Sequence, residues 1–263
     1  MPIIAISRGS YSHGKEVAEK VARKLGYACV SREIMLKASK HFNVPEIKLA
    51  RAVHDAPSIF ERLTHGKERY ITYVREALLQ YFIKDNVVYH GLAGHFFVQG
   101  VSHVLKVRIL ADLEDRVAEE IRRKGVPADD ARKALEEDDA DRHRWSQYLY
   151  GIDNRDPSLY DLVIHLKSLN SEDAAAIICH AAQLPAFQST PASRAAMEKL
   201  LLAAQVQAAL VEEMPGAQVE VEGEEIVVTI QGLYPEEQKF IAQVDQVCDC
   251  LGGVKAKVRL VSP

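Results

Sequence analysis

Gly9-Ser10-Tyr11-Ser12-His13-Gly14-Lys15 stands directly after an apolar run at residues 3–6 and directly before a helical pattern over 15–25. Strand, glycine-bounded loop and helix in that order read as a phosphate cradle. A loop of this spacing curls so that successive backbone N–H groups and the following helix N-terminus point at phosphate oxygens, while Lys15 reaches the outer phosphates. The glycines matter because side chains there would block close approach, and the Ser10 and Ser12 hydroxyls are further donors. One part departs from the usual pattern. Glu16 follows the lysine, where a Ser or Thr hydroxyl would meet a magnesium ion. A carboxylate at that point repels a polyphosphate unless it turns away or meets the metal.

Working outward, apolar strand-like runs alternate with amphipathic helical patterns, as a parallel sheet with crossover helices requires. Strands are expected at 3–6, 28–30, 86–90, 104–110 and 162–166. Helices are expected at 15–25, 34–40, 58–84, 114–124, 128–138, 141–150 and 171–182, the last capped by Ser171 two residues before Asp173. The composition then breaks at 183–193, a segment with two prolines, two serines and a threonine, read as a linker. Beyond it come a helix (195–213), a strand pair (218–222 and 226–231) turned at Glu222-Gly223-Glu224, a helix (236–251) and a strand (254–261). A small α+β fold follows.

At 263 residues the chain suits two modest domains. With 48% hydrophobic and 27% charged residues, wholesale disorder is excluded. No stretch approaches the roughly 18 apolar residues of a membrane span, and the first residues lack a basic-then-apolar leader, so a cytoplasmic protein is expected. Four cysteines, Cys29, Cys179, Cys248 and Cys250, form neither a disulfide framework nor a zinc signature. The net charge of −4 is unevenly spread: residues 184–263 hold 6 Lys+Arg against 11 Asp+Glu, leaving 27 against 26 upstream. Neither part is basic enough to suggest nucleic acid as a partner.

The run from Ile6-Ser7-Arg8-Gly9-Ser10 through Gly14-Lys15-Glu16-Val17-Ala18 to Gly26-Tyr27, then Ser31-Arg32-Glu33-Ile34, resembles the opening of the cytidylate kinase-like family. Val104-Leu105-Lys106-Val107-Arg108 with Glu114-Asp115-Arg116-Val117, then Asp139-Ala140-Asp141-Arg142, Tyr148-Leu149-Tyr150-Gly151 and Asp156-Pro157-Ser158-Leu159-Tyr160-Asp161, resemble its later signatures. The resemblance covers about residues 1–182. It implies an α/β P-loop kinase fold, a parallel sheet flanked by helices with a helical lid. ATP with Mg2+ is then the expected cofactor, bound by Gly9, Ser10, Ser12, His13, Gly14, Lys15 and Glu16, with the metal ligands unassigned. A nucleotide is the expected substrate, CMP or dCMP by likeness alone.

Phosphoryl transfer spreads negative charge over oxygens, so cations brought in by closure supply most of the catalysis. Seven arginines lie between residues 106 and 144; Arg116, Arg123 and Arg142 are assigned, with Lys15, to the transferred phosphate, and Asp139 to orienting Arg142 three residues on. For any single arginine an ordinary charged helical surface is the competing reading. Two departures stand out. Ser31 replaces an acid before the Arg-Glu-Ile run, and Leu92 stands where a Gly-Arg pair would hold the acceptor phosphate. Arg32 is left as the acceptor's cation, helped by His90 and His95 if these are protonated.

Elsewhere the aromatics Tyr70, Tyr73, Tyr81, Phe82 and Trp145 read as packing, and Asp153, Asp156 and Asp161 as turn residues. Residues 198–263, with Val206-Gln207-Ala208-Ala209-Leu210, Gly223, Gly232 and Gly252-Gly253-Val254, resemble a BON domain, a binding module without catalytic residues. The organisation is thus a kinase-like domain (1–182), a linker (183–193) and a BON-like α+β domain (194–263). That last domain suggests a small ligand, a protein partner or a homodimer. Two functions fit: an ATP-dependent phosphotransferase, or a nucleotide-binding sensor that has lost turnover and reports through its C-terminal domain.

Overall fold

The computed structural model describes residues 2–10, 12–49, 66–91, 94–223, 225–231 and 237–261. They divide into two compact units, one of residues 2–34 and 84–193 and the other of 35–49, 66–83 and 194–261.

The first unit is built on five parallel strands: β1 (Ile3–Arg8), β2 (Ala28–Val30), β3 (Val87–His90), β4 (Val104–Ala111) and β5 (Leu162–Leu166). Their order is β2-β3-β1-β4-β5, so β1 is central, with Ile4 opposite Val88 on one side and Leu105 on the other. All four neighbouring pairs run parallel, and ligand loops of such a sheet gather at the carboxyl ends of the strands. Helices α1 (Gly14–Leu25) and α6 (Ser171–Ala182) belong to one apolar core with the sheet. Val17, Ala18 and Val21 of α1 join Ala174, Ala175 and Ile178 of α6 there, small side chains that let the helices approach closely.

Helix α2 (Arg32–Phe42) starts two residues earlier than its apolar pattern, because Glu33 accepts from the Ser31 backbone N–H at 2.8 Å and turns the chain into the helix. Helix α3 (Gly66–Phe82) fills the later part of the expected 58–84 pattern; residues 58–65 lie outside the described ones. Helix α4 (Leu113–Lys124) is followed by α5 (Ala128–Tyr150), one continuous helix where two were expected. No glycine or proline interrupts residues 128–150, and residues 139–140, expected to separate two helices, continue the one helix, with Asp138 and Asp139 tying it to its surroundings. The cap of α6 is also corrected. Asn170, not Ser171, accepts from the backbone of Glu172 and Asp173 at 2.8 and 3.0 Å, and Asp173 answers to the Asn170 N–H.

In the second unit, α7 (Pro191–Leu210) and α8 (Glu237–Cys250) share a core with β6 (Ala217–Glu222), β7 (Glu225–Gln231) and β8 (Ala256–Val261). β6 and β7 pair antiparallel around the left-handed Gly223 (φ 58°), and β7 and β8 pair parallel. Val206, Leu210, Val219, Val228, Phe240 and Val244 are buried together. Gln207 serves the edge of β6, donating to the Ala217 carbonyl at 2.7 Å and accepting from the Val219 N–H at 2.6 Å. Helix α3 belongs to this unit: Tyr73 stacks on Phe42 at 3.9 Å and donates to Glu212 at 2.5 Å, and Arg69 donates to the same carboxylate at 2.7 Å. Cys248 lies in the core while Cys250 is exposed, and all four cysteines are free. Among the described residues no helix is long and apolar enough to cross a membrane.

Candidate functional site

The site begins where β1 ends. His13 takes a left-handed conformation (φ 57°, ψ 8°) and caps α1, with Val17 N–H donating to its carbonyl at 3.0 Å. Gly14 is required by space: a Cβ there would lie 2.6 Å from Cδ and 2.7 Å from Cβ of Arg8. Ser12 is buried and donates to the Gly9 carbonyl at 2.9 Å, so its hydroxyl shapes the loop. Lys15 is two-thirds exposed, 3.7 Å from Glu19, at the rim of a groove of about 580 Å³ also lined by Arg8, His13, Arg123 and Arg142. Glu16, Glu19, Glu119 and Asp138 line the same groove, so the helix N-terminus, and not an excess of cations, is the feature that attracts an anion there.

Two arginines reach this loop from α4 and α5. The buried Arg116 donates from Nε to the Ser10 carbonyl at 2.8 Å and holds Asp139 by both terminal nitrogens at 2.7 and 3.0 Å. Arg142 donates to the Arg8 carbonyl at 2.7 Å, to the Ser10 hydroxyl at 2.6 Å and to Asp138 at 2.9 Å, and Ser10 itself donates to Asp138. The expected pairing is therefore corrected. Asp139 orients Arg116, and Arg142 is oriented by Asp138, the residue one full turn away on α5. Arg123 is exposed and held at 2.7 Å by Glu119, which Arg122 and then Arg123 keep ionised down to about 2.

Glu16 stays on the wall of the groove and is tied to groups beside the loop. Its carboxylate accepts from Ser171 at 2.6 Å and lies 3.2 Å from Lys20 and 3.4 Å from His13; the Ser171 hydroxyl, more than the lysine, lowers its pKa. The repulsion expected of an acid at this position is thus relieved, and no hydroxyl replaces it. Asp138, the acid that reaches the loop from α5, is spent on Ser10 and Arg142. Among the described residues no group of three or more His, Cys, Asp or Glu side chains is arranged to hold a metal ion. The loop's backbone geometry fits a polyphosphate.

Of the residues expected at the acceptor, Arg32 opens α2, but its side chain and Leu92 lie outside the described residues. His90 and His95 are buried, and burial, ahead of neighbouring cations, lowers them to about 4 and about 3. Both are neutral at pH 7 and supply no charge. Other cations stand beside His95. A cavity of about 140 Å³ is lined by Arg8, Arg108, Arg116, Arg142 and Arg155, with Trp145 and Phe96 on its wall. Arg8 and Arg108 sit near the ends of adjacent strands, with Arg108 opposite Ser7, and only their proximity in the sheet marks them as site residues. The turn acids serve structure: Asp153 holds Arg155, Asp156 caps the short helix Pro157–Leu159, and Asp161 accepts from the Lys106 N–H at 2.8 Å.

Residues 3–168 match the model of the cytidylate kinase-like family. The chain belongs to that family. A cytidylate kinase of Thermoplasma volcanium is 26% identical over 174 residues, 65% of this chain and 86% of that protein. One from Methanopyrus kandleri is 28% identical over 103 residues, which cover 36% of this chain and about half of that protein, 53%. Among solved structures, an uncharacterized protein from Eubacterium ventriosum matches with a TM-score of 0.52 and 17% identity, over 69% of this chain and 98% of that one. That likeness is one of fold, the five-stranded parallel sheet flanked by helices. In this member of the family the loop, the sheet order and the two loop-bound arginines occupy one place, the carboxyl end of β1.

Proposed function

We propose that the protein transfers the γ-phosphoryl group of ATP to a small phosphorylated acceptor, a nucleoside monophosphate of the CMP or dCMP type. One observation carries the reading. Lys15, Arg116, Arg123 and Arg142, far apart in sequence, line the phosphate loop and the spaces joined to it. In phosphoryl transfer there is little covalent chemistry for the protein to perform, so positioned cations are the catalyst. The loop amides and Lys15 hold the donor's outer phosphates. Arg116 and Arg142 give up loop carbonyls and take phosphate oxygens as the charge develops. A further groove of about 460 Å³ beside His13, lined by Ala111, Ala118, Leu166 and Leu169 and also by Glu16, Asp115, Glu119 and Arg122, has room for the donor's base. Mg2+ held by the nucleotide's own phosphates would supply further charge neutralisation beside Lys15 and the loop amides.

The C-terminal unit is proposed as a BON-like binding module, its helix, strand pair, helix and strand leaving Glu220 and Glu222 on exposed positions of β6. The enzymatic reading is tested by incubating the full chain with ATP, magnesium and a panel of nucleoside monophosphates. Conversion of one of them to its diphosphate is expected, with Lys15→Ala at background; no conversion by the wild type, although ADP binds, favours the sensor reading.

A further inference from the structure

Helices α2 and α3 form the crossover between β2 and β3 of the first unit's sheet, yet α3 and residues 35–42 of α2 belong to the second unit. One short turn makes the join. Residues 211–214 follow α7; Leu210 and Met214 are buried in the core of the second unit, and Glu213 accepts from Gln243 of α8 at 3.0 Å. From this anchored turn Glu212 faces α3. One carboxylate oxygen accepts from the Tyr73 hydroxyl at 2.5 Å and the other from Arg69 at 2.7 Å. Tyr73 is buried and stacks on Phe42, the last residue of α2, with the rings 3.9 Å apart and 12° from parallel. Arg69 also donates to the Tyr70 hydroxyl at 2.9 Å. Glu212 therefore reaches both helices, α3 directly and α2 through the Tyr73 ring. The Tyr73 hydroxyl, and then Arg69, hold Glu212 below the usual carboxylate range, so it is ionised at pH 7 and its bonds are charge-assisted.

We propose that Glu212 is a positioning residue for the acceptor: through Tyr73 and Arg69 the C-terminal unit fixes the α2–α3 arm, whose opening residue, Arg32, is the cation expected at the acceptor. The proposal rests on the phosphotransferase reading and gives the C-terminal unit a part in that reaction. An exposed ion pair alone would fix little. The buried Tyr73, bonded to a charge at its hydroxyl and stacked on its face, makes the join directional. A loosened arm spends only a fraction of its time in the arrangement that binds, so the acceptor's apparent affinity falls by that fraction, while saturating acceptor restores the rate. The donor is held by the loop between β1 and α1, in the first unit, so its affinity should not follow.

The test uses three variants of the full chain: Glu212→Ala, Tyr73→Phe and, from the same turn but bonded to α8, Glu213→Ala. Glu212 and Glu213 are exposed and Tyr73→Phe keeps the stacked ring, so all three should fold. Hydrogen exchange in α3 is expected to quicken about fivefold in the first two and not in the third, with β1 and β4 unchanged. Steady-state kinetics with CMP should show the acceptor's KM raised about tenfold in Glu212→Ala, with kcat and the KM for ATP within about twofold and Glu213→Ala equal to wild type. Exchange in α3 unchanged by Glu212→Ala overturns the proposal. So does a KM for CMP that stays at the wild-type value, or one that rises together with the KM for ATP. If the wild type converts no nucleoside monophosphate, the phosphotransferase reading falls separately, and the comparison is made by calorimetric titration of CMP into the ADP-saturated chain. Affinity about tenfold lower in Glu212→Ala then upholds the positioning role; equal affinity, or no CMP binding by wild type, overturns it.

Discussion

Arg142 reaches from α5 to Ser10 in the phosphate loop, Nη2 to Oγ at 2.6 Å, and Asp138 on the same helix accepts from both of them. The loop and the helix that follows it by more than a hundred residues are therefore one hydrogen-bonded unit before any phosphate arrives. Arg116 repeats the arrangement through the Ser10 carbonyl. Arginines held at this distance need little movement to meet a transferred phosphoryl group, and such preorganisation is what lowers a barrier.

Arg142→Ala is expected to lower turnover by about 10²–10³-fold, the usual cost of one positioned transition-state donor. Arg142→Lys restores little of it, because a single ammonium cannot serve Ser10, Asp138 and the Arg8 carbonyl together. Steady-state kinetics measure this; a KM rise for ATP with unchanged kcat would mean that Arg142 only binds the donor.

Gly14→Ala is expected to abolish nucleotide binding and to cost about 1–3 kcal/mol of stability, since the added Cβ overlaps backbone-proximal atoms of Arg8 rather than a flexible tip. Gly26→Ala, at the left-handed end of α1 with nothing within 4 Å, costs about 1 kcal/mol through strain and leaves binding intact. Urea unfolding and an ADP titration separate the two variants.

Stability should fall as pH drops from 6.5 toward 4. His90 and His95 are depressed to about 4 and about 3, below the ordinary 6.5, so acid protonates the unfolded chain first. At pH 5 each histidine then costs about 2 kcal/mol, from 1.4 kcal/mol per unit of pKa difference. The lowered carboxylates act at lower pH. Unfolding free energies measured at pH 7, 6 and 5 check this, and a flat profile contradicts it.

The cap of α6 yields a paired comparison. Asn170→Ala removes the acceptor for two first-turn N–H groups and should cost about 1 kcal/mol. Ser171→Ala removes an exposed bond to Glu16 and should cost only about 0.5 kcal/mol. Chemical denaturation of the two variants distinguishes them, and equal costs would return the capping role to Ser171.

The strand runs, the glycine-bounded turn from β1 into α1 and the hairpin around Gly223 were legible because each is written in contiguous residues: apolar periodicity, glycines at fixed spacing, alternation on one face. Pairings across the fold were not. Asp138 and Asp139 are adjacent on one helix and either is within reach of a neighbouring arginine by spacing, so only the packing of α4 against α5 decides that Asp139 takes Arg116 and Asp138 takes Arg142. Ser171 has the chemistry of a cap, yet Asn170 stands one residue earlier in extended conformation and wins the first-turn amides. Arg108 lies inside a strand pattern, where a charge reads as an exposed face, and Arg8 follows the expected strand 3–6; the register of β1 on β4 sets Arg8 opposite Ile109 and Arg108 opposite Ser7, and both border the cavity at the end of these strands. The neutrality of His90 and His95 is a matter of burial, which no local pattern records.

The account turns on phosphoryl transfer at the loop. Incubation of the full chain with γ-labelled ATP, magnesium and CMP or dCMP, followed by product separation, is the direct measurement. It should yield labelled CDP or dCDP with wild type and none with Lys15→Ala; label that stays on ATP, or passes only to water, with every nucleoside monophosphate offered would contradict it.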